Sequence, residues 1–218
     1  MKLIMNARIQ SLTIAFLLFF AFSATAQQNE FIPRLSMVED ALNWRVVNRS
    51  VSYLEYIHLD VKPGDGLLYL NDFEFKNGKI DLDIKGKNDP GRSFVGLAFH
   101  ILNDSTFDAV YFRPFNFRSP ERKTHSVQYI SMPQYDWYKL RQEHPGVYEN
   151  MIQPIPDPDD WFHATIIINY PEVKVFVDNS VEPSLVISQI SSRKKGWVGF
   201  WVGNGSEGSF RNLKITTN

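Results

Sequence analysis

The chain has 218 residues, a formal net charge of -1 at pH 7 and 0 cysteines. The cysteine count excludes a disulfide framework, and the near-neutral charge argues against a nucleic-acid partner, which calls for a strongly basic face. A hydrophobic core must therefore hold the fold alone, and a chain of this size can bury one within a single domain.

Lys2 and Arg8 precede an apolar run over 12–22, followed by Ser23-Ala24-Thr25-Ala26. This pattern reads as a secretory signal peptide over 1–26, cleaved after Ala26. The apolar run is shorter than the ~20 residues a membrane span needs. The expectation is an exported protein, periplasmic or extracellular, with no stable membrane insertion and one domain over 27–218.

Residues 37–42 suggest a short helical turn, and 44–47 and 53–57 the first strands. Lys62-Pro63-Gly64-Asp65-Gly66 is a turn by its Pro and Gly chemistry. The runs 67–70 and 72–75 lead to Asn77-Gly78, a strong hairpin signal. Strict alternation over 79–84 then predicts a strand with Ile80, Leu82 and Ile84 inward and Asp81 and Asp83 outward. Over 94–102 the same pattern sets Val95, Leu97, Phe99 and Ile101 against Gly96, Ala98 and His100. A strand is expected at 107–112, and 119–158 reads as a long structured loop leaving the sheet, a kind of segment that often carries function. Alternation returns at 162–169 and 173–177. The run 197–203 places Val198, Phe200 and Val202 inward and both Trp197 and Trp201 outward, and 208–216 closes the sheet. Short strands separated by turn signals, without a fixed repeat, predict an all-β sandwich.

The stretch 111–150 concentrates arginines, rings, amides and histidines beyond what packing requires. Rings offer apolar faces while forked guanidinium and amide groups fix orientation, a combination that suits a saccharide. The substrate-binding candidates are Arg113, Asn116, Arg118, Gln128, Tyr135, Trp137 and Trp201, and the proton-transfer candidates are His125, His100 and Glu149. Each has a structural alternative: arginines bridging loops to carboxylates such as Asp108 or Glu149, tryptophans covered as a second small core, a solvated histidine or glutamate. Asn103-Asp104 and Asp157-Pro158-Asp159-Asp160 lack recognisable ligand spacing, so no metal is expected, nor any cofactor.

The run Phe75-Lys76-Asn77-Gly78-Lys79-Ile80-Asp81-Leu82-Asp83-Ile84, with Val110-Tyr111-Phe112-Arg113-Pro114, Gly196-Trp197-Val198-Gly199-Phe200-Trp201 and Phe210-Arg211-Asn212-Leu213-Lys214-Ile215, resembles the concanavalin A-like lectin/glucanase superfamily. Within it the resemblance is to secreted bacterial 3-keto-disaccharide hydrolase and laminin-G-like domains. It implies a jelly roll with a saccharide on a concave sheet and a long loop excursion over that sheet. The glucanase branch uses a Glu-x-Asp-x-x-Glu strand; the nearest acidic strand here, Asp81-Leu82-Asp83, has neither glutamate. The 3-keto hydrolases act on oxidised sugars whose keto group acidifies the adjacent C–H, chemistry that needs a base and an electrophilic clamp. Three readings stand open: a saccharide-binding protein that cleaves a modified glycoside, a non-catalytic carbohydrate-binding module, and a protein-interaction module. The oligomeric state is not encoded in any of these features.

Overall fold

A computed structural model of the protein describes residues 29–218, so the expected signal peptide lies outside the described residues. In chain order the strands are β1 (Asn29–Phe31), β2 (Trp44–Val47), β3 (Val51–Tyr53), β4 (Ile57–Leu59), β5 (Gly66–Leu70), β6 (Gly78–Lys85), β7 (Val95–Asn103), β8 (Thr106–Phe112), β9 (Val127–Met132), β10 (Glu149–Asn150), β11 (Phe162–Asn169), β12 (Glu172–Val177), β13 (Leu185–Ser188), β14 (Trp197–Val202) and β15 (Gly208–Thr217). One α-helix, α1 (Trp137–Glu143), stands between β9 and β10. The strands form two antiparallel sheets. An eight-stranded sheet runs β13-β12-β11-β6-β15-β4-β3 with β1 also on β15, and a seven-stranded sheet runs β10-β9-β8-β7-β14-β5-β2.

Period-two patterning decides which side of each sheet meets the other. Ile80, Leu82 and Ile84 of β6 are buried and stand opposite Ile166, Ala164 and Phe162 of β11, which are buried too. In the second sheet Val95 and Leu97 pair with Phe112 and Val110 on one side and with Val202 and Phe200 on the other. Rings then join the two layers: Phe200 stacks on Phe210 at 4.5 Å, and Phe112 meets Phe162 edge-on at 4.9 Å. Each such side chain contributes roughly 1.5–3 kcal/mol by leaving water, which is how the fold stands without disulfides.

Local signals and tertiary partners disagree in four places. Asn77-Gly78 makes no hairpin, because β5 and β6 belong to different sheets and the chain crosses between them. Gly78 is needed instead for a close approach: at its φ of 147° an added Cβ would sit 2.0 Å from the Thr216 carbonyl oxygen. Residues 72–75 hold only a lone bridge from Phe75 to Gly196, and the run 53–57 is interrupted, giving the paired β3 and β4. The segment 119–158 leaves the sheet only in part. It returns as β9 alongside β8, with Tyr129 opposite Val110, and again as β10, so that α1 and its flanking residues rise at that edge of the sheet.

Candidate functional site

On the outer face of the seven-stranded sheet, the register sets Leu67, Trp201, Gly96, Tyr111, Gln128 and Glu149 side by side across six strands. Beside this row opens a cavity of about 390 Å³. Trp201 and Tyr111 lie at its base with ring centroids 4.9 Å apart, and Phe94 stands edge-on to Tyr111 at 6.1 Å. Trp137, the first residue of α1 and 46% exposed, contributes a further ring. Asp65 and Asn204, from the loops before β5 and after β14, bring polar groups, and Asp136 adds a second carboxylate. One Asp136 oxygen caps α1 by accepting the Lys139 N–H at 2.8 Å.

Several polar atoms here retain hydrogen-bonding capacity. Trp201 is 4% exposed, and its indole N–H, closed to solvent, lies near the Asp65 carboxylate without a well-formed hydrogen bond to it. The Asn204 Oδ1 accepts the Gly64 N–H at 2.7 Å. This fixes the amide plane and leaves the NH₂ group to donate elsewhere. Asp65 is exposed on one side yet closely surrounded by protein on the other, and the loss of water there pushes its carboxyl above the ordinary 3.8 against the pull of Asn204, Arg49 and the nearby Trp201 indole.

Next to Tyr111 lies a buried polar network built from the residues that sequence reasoning singled out. Arg113, 4% exposed, donates to Gln128 Oε1, to the Tyr111 hydroxyl and to the His125 carbonyl, and its guanidinium lies 4.9 Å from the Tyr111 ring centroid. Burial lowers the Arg113 pKa and raises that of Tyr111 to about 12. Asn116 donates to the His125 carbonyl at 3.0 Å. Glu149 accepts a fork from Arg141 of α1 at 2.7–3.0 Å, with His125 Nδ1 at 2.9 Å and Arg113 at 3.5 Å. Burial acts to raise the Glu149 carboxyl, but Arg141, His125 and Arg113 together hold it below its ordinary value. It is a fixed anion rather than a proton donor at neutral pH.

Of the ten candidates, Trp137 and Trp201 reach the cavity, while Arg113, Gln128, Asn116, His125 and Glu149 form the adjoining network. Three lie outside both. Arg118 is exposed and sits 3.3 Å from Asp157. Tyr135 pairs through its backbone with Ser131 beneath the Lys139 ammonium. His100 has a φ of 48° where the β7–β8 register slips; it is fully buried, bonds the Lys76 carbonyl at 2.8 Å and lies against Phe75 and Phe99. Burial lowers its pKa. A ring closed to solvent in this way has no route for exchanging a proton with a ligand.

Sequence reasoning missed Phe94, Asp65, Asn204 and Arg141. Asp65 reads as a turn residue within Pro63-Gly64-Asp65-Gly66, and Asn204 is one loop amide between glycines. Only the Asp136 cap followed by Trp137-Tyr138-Lys139-Leu140 offered a local signal, for α1 and hence for Arg141. Among the described residues no group of three His, Asp or Glu side chains is arranged to hold a metal ion, and no helix is long and apolar enough to cross a membrane.

No protein-family model matches the sequence, and no curated protein matches it. Solved structures do. A carbohydrate-binding module from Bacillus subtilis superposes with a TM-score of 0.58 at 15% identity, covering 81% of this chain and 97% of its own. The β-glucanase of Bacillus licheniformis gives 0.54 at 12% identity over 82% and 94%. The exoplasmic/lumenal domain of VIP36, bound to Ca²⁺ and Man3GlcNAc, gives 0.55 at 13% over 81% and 85%. The fold is concanavalin A-like. Within this concanavalin A-like sandwich the identities are too low to carry activity across.

Proposed function

We propose that the protein is an exported saccharide-binding sandwich whose ligand sits in the cavity between Trp201, Tyr111, Phe94 and Trp137, with Asp65 and Asn204 gripping hydroxyl groups. The observation that carries this reading is an aromatic cavity floored by Trp201 and Tyr111 and flanked by Trp137, with the Asp65 carboxylate and an Asn204 amide whose NH₂ group is left to donate at its rim. Sugar rings present apolar C–H faces to aromatic rings and hydroxyls to just such groups. The similar folds of a carbohydrate-binding module and a sugar-bound lumenal domain lend support. Binding is favoured over cleavage by Glu149 or His100. The first is clamped by Arg141, and the second is sealed from solvent. Cleavage of a 3-keto glycoside remains the catalytic version of this reading, with the partly exposed His125 as its base.

Calorimetric titration with methyl glycosides of glucose, galactose and mannose, their disaccharides and a 3-keto glucoside, with product analysis of each mixture, tests both versions. Binding that falls at least about tenfold in Trp201→Ala supports the site, on the magnitude expected for losing one aromatic contact of 1.4 kcal/mol or more. Because burial raises the Asp65 pKa, affinity should fall as pH drops through a value above 3.8, and Asp65→Asn should flatten that dependence. No binding across the panel, or equal affinity in Trp201→Ala, would sink the proposal.

A further inference from the structure

The two loops that carry Asp65 and Asn204 are distant in sequence, and a single buried cation joins them. Arg49, in the link between β2 and β3, is 6% exposed. Its Nη2 donates to the Gly64 carbonyl at 2.7 Å and to the Gly203 carbonyl at 3.0 Å, while Nη1 donates to the Asn48 carbonyl at 2.6 Å. Asn48 in turn donates from its side chain to the Pro63 and Asp65 carbonyls at 2.8 and 3.0 Å. Two further bonds cross directly between the loops: Gly64 N–H to Asn204 Oδ1 at 2.7 Å and Gly205 N–H to the Lys62 carbonyl at 3.0 Å. Room for the guanidinium comes from Gly66, where an added Cβ would lie 2.3 Å from Arg49 Cγ.

Burying a cation whose hydrogen bonds go only to carbonyls is costly even with the Asp60 and Asp65 charges nearby, and burial lowers the Arg49 pKa against them. The fork has a property that an apolar side chain lacks. Its planar donors fix the separation and orientation of two carbonyls at once. Those carbonyls belong to Gly64 and Gly203, the immediate neighbours of Asp65 and Asn204.

Resting on the saccharide reading above, we infer that Arg49 is the positioning residue of the site. It sets the spacing of Asp65 and Asn204 across the cavity without touching the sugar, as a supporting group that holds binding groups in place.

Arg49→Met and Arg49→Lys test this, the second keeping the charge and part of the donor set. In the ligand-free protein, amide hydrogen exchange at Gly64 and Gly205 should quicken in Arg49→Met, while the Phe200 amide in the middle of β14 keeps its protection. Titration with the same methyl glycosides should show affinity falling about tenfold or more in Arg49→Met, the loss expected for charged hydrogen bonds of this kind, with partial recovery in Arg49→Lys. Unchanged exchange at the two glycines, or protection lost equally at Phe200, would overturn the inference, as would unchanged glycoside affinity in Arg49→Met. If the unaltered protein binds no glycoside, the saccharide reading fails, and loop exchange alone then decides whether Arg49 braces the loops.

Discussion

The outer faces of the two sheets are both rich in polar groups, yet they are organised in opposite ways. On the eight-stranded sheet, Asp83 accepts from His163 at 2.8 Å, Asn212 at 2.7 Å and Arg211 at 3.1 Å, while Asp81 meets Thr165 at 2.6 Å and Lys79 at 2.8 Å. Neighbouring strands supply acid and base in register, so most of the hydrogen-bonding capacity closes on itself. On the seven-stranded sheet the cavity pairs rings with the Asp65 carboxylate and an amide held by one end only. Charge density alone is therefore a poor guide to function; rings and polar groups that open onto one cavity are a better one.

Altering self-satisfied groups should cost stability and leave glycoside affinity little changed. The largest effect belongs to Arg193. It bonds the fully buried Asp108 through two nitrogens and also reaches Ser131 and the Phe107 carbonyl. Arg193→Met would leave that carboxylate without its cation, with only the Tyr129 and Ser191 hydroxyls still donating to it, and should destabilise the fold by about 3–5 kcal/mol in chemical denaturation. Glu149→Gln should cost about 1–3 kcal/mol, since Arg141 and Arg113 lose their shared anion, and affinity should fall less than in Trp201→Ala. A larger affinity loss in Glu149→Gln would move the functional centre from the cavity to the network.

The smallest effect is the most specific. The Asp81 and Asp83 carboxylates raise the His163 pKa above 6.5, although burial opposes them. A raised histidine contributes stability fully below its unfolded value and loses it as pH climbs through the folded one. Thermal melts of the unaltered protein and His163→Asn should therefore differ below pH 6.5 and converge at higher pH. The difference should be about 1 kcal/mol, since the His163 ring still meets solvent on one side. The two aspartates act in the reverse sense. Against the burial penalty, His163 and its neighbours hold both below 3.8, so their contribution is present above 3.8 and fades as acid is added beyond that point.

Most of the fold was legible because burial imposes a period of two on strands. Ile80, Leu82 and Ile84 announce their face without knowledge of any partner. His100 could not be read this way, since one positive φ at a slipped register turns it out of the alternation. Asn77-Gly78 misled for a related reason: a local turn preference cannot say that the preceding strand belongs to another sheet. Trp201 was legible from its parity in β14. Asp65 and Asn204 were not, because their relation exists only through Arg49 and the hydrogen bonds between two loops. The segment 111–150 drew attention by composition, and much of that composition, Arg113, Gln128 and Glu149 included, became internal wiring beside the cavity.

The position of β15 has a consequence for synthesis. This last strand is internal to its sheet, with β6 on one side and β4 and β1 on the other. A growing chain therefore carries β6 with an unpaired edge until β15 has been made. Contacts of such sequence separation slow folding, and bare edges invite association with other chains. The sandwich is closed from its middle by a strand made long after the ones it joins, and a chain interrupted before Gly208 would lack the strand that links β6 to β4.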